Sequence, residues 1–183
     1  MFRTVNITSS NANNEELRKL YESALPEGER IPFDTLIPLL EPMNFVFTAY
    51  FEGETFVSIT LFKRLPKYNI GAFFAVPENL RNKGRGQKII TQILSTYSED
   101  NPFVLFVELP LKPDAPNMEI CKRRHAFYQR NGFKDTGFYY SDSSSDYTIM
   151  YNGKDSITKK DSDEIIASIK PLLDLTLEKD KKI

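Results

Sequence analysis

Arg81, Gly84 and Gly86 stand in the order Arg-x-x-Gly-x-Gly, inside the stretch GAFFAVPENLRNKGRGQKIITQILSTY that runs from Gly71 to Tyr97. These residue types at this spacing suit the holding of a phosphate. Glycines let successive backbone N–H groups turn toward an anion, and the positive end of a following helix adds to them. The flanks supply the elements such a site needs. Gly71 to Val76 is a short apolar run suited to a buried strand, and Pro77 ends it because proline donates to no ladder hydrogen bond. After the turn, Ile89, Ile90, Ile93, Leu94 and Tyr97 recur at helical spacing. Two common phosphate sites do not fit. A P-loop needs Gly-Lys-Ser/Thr, whereas Gly86 is followed by Gln87 and Lys88, and the dinucleotide fingerprint needs a third glycine where Ile89 stands. A plain basic turn is the other reading of the same residues.

The rest of the chain reads as elements that could carry this turn. Phe2 to Ile7 alternates weakly, as a first strand would. Asn13 to Glu16 has the form of a capping box opening a helix whose stripe is Leu17, Leu20, Tyr21, Ala24 and Leu25, stopped by Pro26. Asp34 is placed to cap a short second helix, with Pro38 tolerable only in a first turn. Phe45–Phe51 and Thr55–Phe62 are rich in β-branched and aromatic residues and flank Glu52-Gly53-Glu54, a hairpin connection that leads into a strand over Asn69–Val76. Phe103–Leu109 is a further apolar strand whose one charged residue is Glu108. Asn117–Arg130 reads as a helix stopped by Asn131-Gly132, and Phe133–Tyr140 with Asp146–Tyr151 as a closing hairpin. Residues 1–155 form the expected domain. Residues 156–183 are an extension with an apolar stripe of Ile165, Ile166, Ile169, Leu172, Leu173 and Leu177 interrupted by Pro171. That stripe packs on the domain or serves a homodimer or partner contact.

Composition bounds the class. At 183 residues, 40% of them apolar and 27% charged, the chain suits one globular domain with a sizeable core. A formal net charge of -1 argues against a general nucleic-acid or membrane-surface partner, despite the basic run Lys122-Arg-Arg124. One cysteine, Cys121, and one histidine, His125, allow neither an intramolecular disulfide nor a Cys/His metal site, so no metal is expected. No apolar run is long enough for a signal peptide or a membrane span, which predicts a cytoplasmic protein.

A second motif lies roughly forty residues after the first: Phe127-Tyr128 followed by Gly132-Phe133. Together with Arg81-x-x-Gly84-x-Gly86, it resembles the GNAT superfamily of acyl-CoA N-acyltransferases. The resemblance covers Asn69 to Tyr140 by motif and the flanks by element order. It implies an α/β fold in which a mixed, mostly antiparallel sheet carries helices on both faces, with a parallel pair where the central helix joins the fourth strand to the fifth. There are departures. Cys121 stands where many members have an asparagine that contacts the cofactor, and Arg124 where many have an alanine. No cofactor contact is carried over to Cys121, and Arg124 either approaches a phosphate or covers the helix surface.

The resemblance implies an N-acetyltransferase moving the acetyl group of acetyl-CoA directly to a primary amine of a small molecule or peptide. The other class it leaves open is a non-catalytic acyl-CoA-binding module. Backbone N–H groups of Arg81, Asn82, Lys83, Gly84, Arg85 and Gly86 would surround the pyrophosphate, with Lys83, Arg85 and Lys88 pointing into solvent or meeting a ribose phosphate. Ala75 and Val76 would lend backbone groups to the pantetheine arm, and the N–H of Val76 would polarise the thioester carbonyl. Tyr128 would protonate the departing thiolate, since a phenol near pKa 10 is close to an alkyl thiol. The alternative for Tyr128 is a core aromatic. An amine is protonated at neutral pH and needs a base. Glu108, a lone carboxylate at the end of an apolar strand, is the candidate; its alternative is a solvent or ion-pair carboxylate. His125, a turn before Tyr128, reads as a helix-surface residue. Acceptor choice would fall to Pro26–Leu40, Leu111–Asn117 and Ser141–Asp146, where Glu27, Glu29, Asp34, Asp142 and Asp146 could draw a cation.

Overall fold

The aromatic and β-branched residues between Phe45 and Ala75 produce three antiparallel strands, β2 (Phe45–Glu52), β3 (Thr55–Arg64) and β4 (Asn69–Ala75). The computed structural model describes residues 1–24, 30–97, 101–109, 117–141 and 145–177, with residues 171–177 as backbone alone. β1 (Arg3–Asn6) extends β2 on one side, while β5 (Phe103–Glu108), β6 (Lys134–Ser141) and β7 (Asp146–Tyr151) extend β4 on the other. The sheet has seven strands in the order β1-β2-β3-β4-β5-β7-β6. Every neighbouring pair is antiparallel except β4 and β5.

Alternate residues send the sheet's apolar side chains to two faces. Phe45, Phe47, Ile59 and Leu61 meet Leu17, Leu20 and Tyr21 of α1 (Glu15–Ala24) and Phe33 and Leu36 of α2 (Phe33–Leu39). Tyr50, Phe62, Phe103, Val107 and Met150 meet Ile89, Ile90 and Ile93 of α3 (Arg85–Tyr97), with Phe127 and Tyr128 of α4 (Met118–Arg130) against the same cluster. A third cluster joins Ile70, Val104 and Ile149 to Ile165 and Ile169 of α5 (Lys159–Leu177), and Lys63 Nζ reaches the Ser168 carbonyl at 3.1 Å.

Several boundaries differ from expectation. Asn14, one residue later than the expected cap, closes the start of α1: its side-chain oxygen accepts from the Leu17 N–H at 2.9 Å. Asp34 caps nothing; α2 begins one residue earlier, after Pro32, and Asp34 binds the Arg18 guanidinium instead. Pro38 sits at the last turn rather than the first, and α2 ends one residue later. α5 runs on through Pro171 rather than breaking there. No helix among the described residues is long and apolar enough to cross a membrane.

Candidate active site

β4 and β5 pair only at Asn69–Phe103, Ile70–Val104 and Gly71–Leu105. At the last of these the Leu105 side chain lies over Gly71, where a Cβ would stand 2.5 Å from Leu105 Cδ2. A bulge then interrupts the pairing of β4 with β3 between Gly71 and Phe73, and bulges bend the strand that carries them. β4 continues to Ala75 and β5 to Glu108 without further pairing to each other. The sheet is therefore open between the C-terminal ends of two parallel strands, a place where α/β sheets present ligand-binding groups.

The glycine turn lies at one side of this opening. A single 3₁₀ turn (Glu78–Leu80) leads from Pro77 to Arg81, and α3 starts at Arg85, so Arg85 and Gly86 belong to the first helical turn. Asn82 and Gly84 have φ of 60° and 72°, the left-handed conformation that curls the chain back on itself. From Asn82 to Gln87 no backbone N–H has a hydrogen-bond partner among the described residues; the first helical bond is from Lys88 to the Gly84 carbonyl at 3.2 Å. These donors, with the positive end of α3, are suited to an anion. A Cβ on Gly84 would meet no atom within 4 Å, and one on Gly86 would rest 3.8 Å from Phe74 and Phe127, so neither position excludes a side chain by protein crowding.

The side chains of the turn are mostly engaged. Arg81 Nε donates to the Val76 carbonyl at 3.0 Å, tying the turn to the end of β4. The Ala75 carbonyl accepts from the buried Ser58 hydroxyl at 2.7 Å. Lys83 reaches the Asn79 carbonyl at 3.1 Å. Arg85 is neither solvated nor free for a phosphate. Its Nε and Nη2 lie 3.1 and 2.5 Å from Glu52 Oε2 at the end of β2. Lys88 is exposed, with no side-chain hydrogen bond or ion pair among the described residues.

The second motif closes on the first. Phe127 faces Phe74 at 6.3 Å between ring centroids, and Tyr128 packs edge-on to Phe127 at 5.3 Å and Phe133 at 5.7 Å. Asn131, at the end of α4, exchanges amide hydrogen bonds with Gln87 in the first turn of α3. Tyr128 is half-buried, and burial pushes its phenol above the ordinary value, with the nearby Arg124 charge acting the other way. Its hydroxyl has no hydrogen-bond partner among the described residues.

Glu108, at the far edge of the opening, is held on both oxygens. Asn117 Nδ2 donates to Oε1 at 2.7 Å and Ser145 Oγ at 3.4 Å, while Arg124 Nη1 lies 3.3 Å from Oε2. The buried Cys121 thiol also bonds to it; burial first, then the carboxylate, raises that thiol's pKa. The ion-pair alternative for Glu108 is thus realised, and Arg124 spends its charge there rather than covering the helix. His125 turns to Asp135. Of the acidic residues expected to draw a substrate, Asp34 binds Arg18 and Asp146 accepts from Ser141 at 2.5 Å. Glu27, Glu29 and Asp142 lie outside the described residues, as does residue range 111–116. Sequence reasoning missed Asn117, Ser145, Glu52 and Asn131. Their partners lie 9, 37, 33 and 44 residues away, outside any helical or strand repeat, so no local pattern announces them.

No family model matches the chain, and no curated protein matches it. Solved structures do. One is a protein from Bacteroides thetaiotaomicron assigned to the GNAT family of acetyltransferases, at 24% identity and TM-score 0.74, covering 93% of this chain and 97% of that one. A second is the ribosomal-protein-S18-alanine N-acetyltransferase from Escherichia coli, at 11% identity and TM-score 0.60, covering 87% and 97%. A third is an aminoglycoside 6'-N-acetyltransferase complexed with coenzyme A, at 10% identity and TM-score 0.60, covering 81% and 95%. The chain has the fold of the GNAT acyl-CoA N-acyltransferases. The order of strands and helices implied by the two motifs is the order found.

Proposed function

We propose that this protein is an N-acetyltransferase that takes the acetyl group from acetyl-CoA and passes it directly to a primary amine of a small molecule or peptide. The observation that carries this reading is the row of unpartnered N–H groups from Asn82 to Gln87, set at the mouth of the opening between β4 and β5. The residues fit the group: curled backbone, the positive end of a helix, and open space above Gly84. The similar structures agree in kind, one of them holding coenzyme A and acting on an aminoglycoside, another named for a protein-alanine amine.

Bound acetyl-CoA supplies an acyl carbon whose bond to sulfur breaks as the bond to the amine nitrogen forms. The chain's own residues do the rest. N–H groups of Asn82 to Gly86 hold the pyrophosphate. The Arg81–Val76 bond fixes the turn against β4, and the Val76 N–H would be the donor that polarises the thioester carbonyl. Tyr128 gives its phenolic proton to the departing sulfur; burial keeps it in the acid form until then. Glu108, on the opposite strand end, takes the proton lost by the amine, through a water that reaches past its present donors. That Glu108 already accepts from Asn117 and Arg124 favours a second reading, an acyl-CoA-binding module without turnover.

Release of free thiol from acetyl-CoA, followed with a panel of polyamines, aminoglycosides and peptides with free N-termini, separates the two. Turnover with at least one amine, cut about 100-fold or more in Tyr128→Phe with acetyl-CoA binding intact, is the expected outcome. Binding without turnover on any amine would favour the module.

A further inference from the structure

Helix α4 carries the phenol of this mechanism, yet Cys121 is its one fully buried residue. So narrow an apolar seam gives a helix little to fix its rotation about its own axis. Beyond the ring contacts of Phe127 and Tyr128, polar contacts hold it along its length. Asn117 and Arg124 bind Glu108 at one end, and Asn131 binds Gln87 at the other. The middle contact joins α4 to the sheet. His125 Nε2 lies 2.9 and 3.0 Å from the two carboxylate oxygens of Asp135, and Thr148 Oγ1 donates to Oδ1 of the same carboxylate at 3.0 Å. Asp135 is on β6 and Thr148 on β7, so the acceptor is anchored by two strands. His125 is largely covered, its side chain 26% exposed, and it precedes Tyr128 by one helical turn on the same side of α4.

We infer that His125 and Asp135 form the positioning pair for Tyr128, locking the rotation of α4 so that the phenol faces the opening between β4 and β5. The pair exchanges no proton with substrate. Its importance for rate rests on the acetyltransferase reading; its hold on the phenol does not. A misplacement of about 1 Å costs a reacting group roughly 100-fold, so even a small helix rotation registers in kcat.

The test uses full-length protein labelled with ¹³C at the tyrosine ring. Among its 9 tyrosines the Tyr128 signal is assigned by its loss in Tyr128→Phe. Thermal melting first establishes which variants fold. Asp135→Asn, which changes almost no volume, stands beside His125→Ala in case the latter does not fold. The expected result is a Tyr128 signal displaced or broadened in both, restored in His125→Gln, which keeps a donor at similar reach. With an accepted amine, kcat falls about tenfold while KM for acetyl-CoA stays within about twofold, and His125→Gln recovers most of the loss. A Tyr128 signal that overlays the parent's in the folded Asp135→Asn and His125→Ala variants overturns the inference. A displaced signal in a protein that turns over no amine supports the positioning pair and sinks the acetyltransferase reading.

Discussion

The proposed role of Tyr128 as an acid requires a protonated phenol, and its surroundings keep it so. Burial raises the phenol above its ordinary value of 10.0, so the acid form is fully present below that pH and is lost only as pH rises through the higher folded value. The kcat–pH profile is therefore expected to show no alkaline fall assignable to Tyr128 below about pH 10. A descending limb near pH 8 that vanishes in Tyr128→Phe would contradict this. The two glycines of the turn differ in a way that the motif alone does not reveal. Gly84 has φ of 72°, so Gly84→Ala is strained and is expected to lower stability by about 1 kcal/mol, read by denaturant unfolding. Gly86 has an ordinary helical backbone and room for a Cβ 3.8 Å from Phe74 and Phe127. Gly86→Ala is expected to leave stability within about 0.5 kcal/mol of the parent while weakening coenzyme A binding, if the backbone there approaches the phosphate closely. Equal losses of stability in the two variants would show that both glycines serve only the fold.

At the scale of elements, what was legible in the sequence was periodicity. Strands β2 to β5 and β7 and helices α1, α3 and α4 stand within a residue or two of where alternation and helical spacing put them, because apolar spacing reports burial directly. Caps and polar partners were not legible in the same way. Asn13 and Asn14 are adjacent and chemically identical, and nothing local decides which one caps α1. The structure shows Asn14, so Asn14→Ala is expected to cost about 1 kcal/mol in unfolding free energy and Asn13→Ala little. At α5, Asp161 accepts from the hydroxyl and the N–H of Thr158 and from Tyr68, which lowers its carboxyl from 3.8 to about 2. A depressed carboxyl contributes stability above its unfolded value that is lost as pH falls through the folded one. Amides in the first turns of α5 should therefore lose hydrogen-exchange protection between pH 3.8 and about 2, before the α3 amides do. Loss in the reverse order would show that Asp161 does not fasten the helix.

At the scale of the whole molecule, the opening in the sheet is the feature from which the function follows, and it is only half visible in the chain. Gly71 and the run that ends at Pro77 mark where β4 stops, but the bulge beside Gly71 and the three-pair limit of the β4–β5 contact arise from long-range register. The site follows the same division. Arg81-x-x-Gly84-x-Gly86 and Tyr128 could be picked out because glycine conformation and motif spacing are local. The commitments of Glu108 to Asn117, Arg124 and Ser145, and of Arg85 to Glu52, join residues distant in sequence and needed the fold to be seen. Those commitments also change the electrostatics of the cleft, since they leave the curled backbone, more than free cations, to receive a phosphate.

Calorimetric titration with acetyl-CoA, of the parent and of Gly84→Glu side by side, tests that claim most directly. No protein atom crowds a side chain at Gly84, so Glu there, though strained by the φ of 72°, sets a negative charge among the N–H donors. Saturable binding by the parent and none by a folded Gly84→Glu is the predicted result. Equal binding by both would place the cofactor away from the turn, and no binding by the parent would contradict the acetyl-CoA assignment itself.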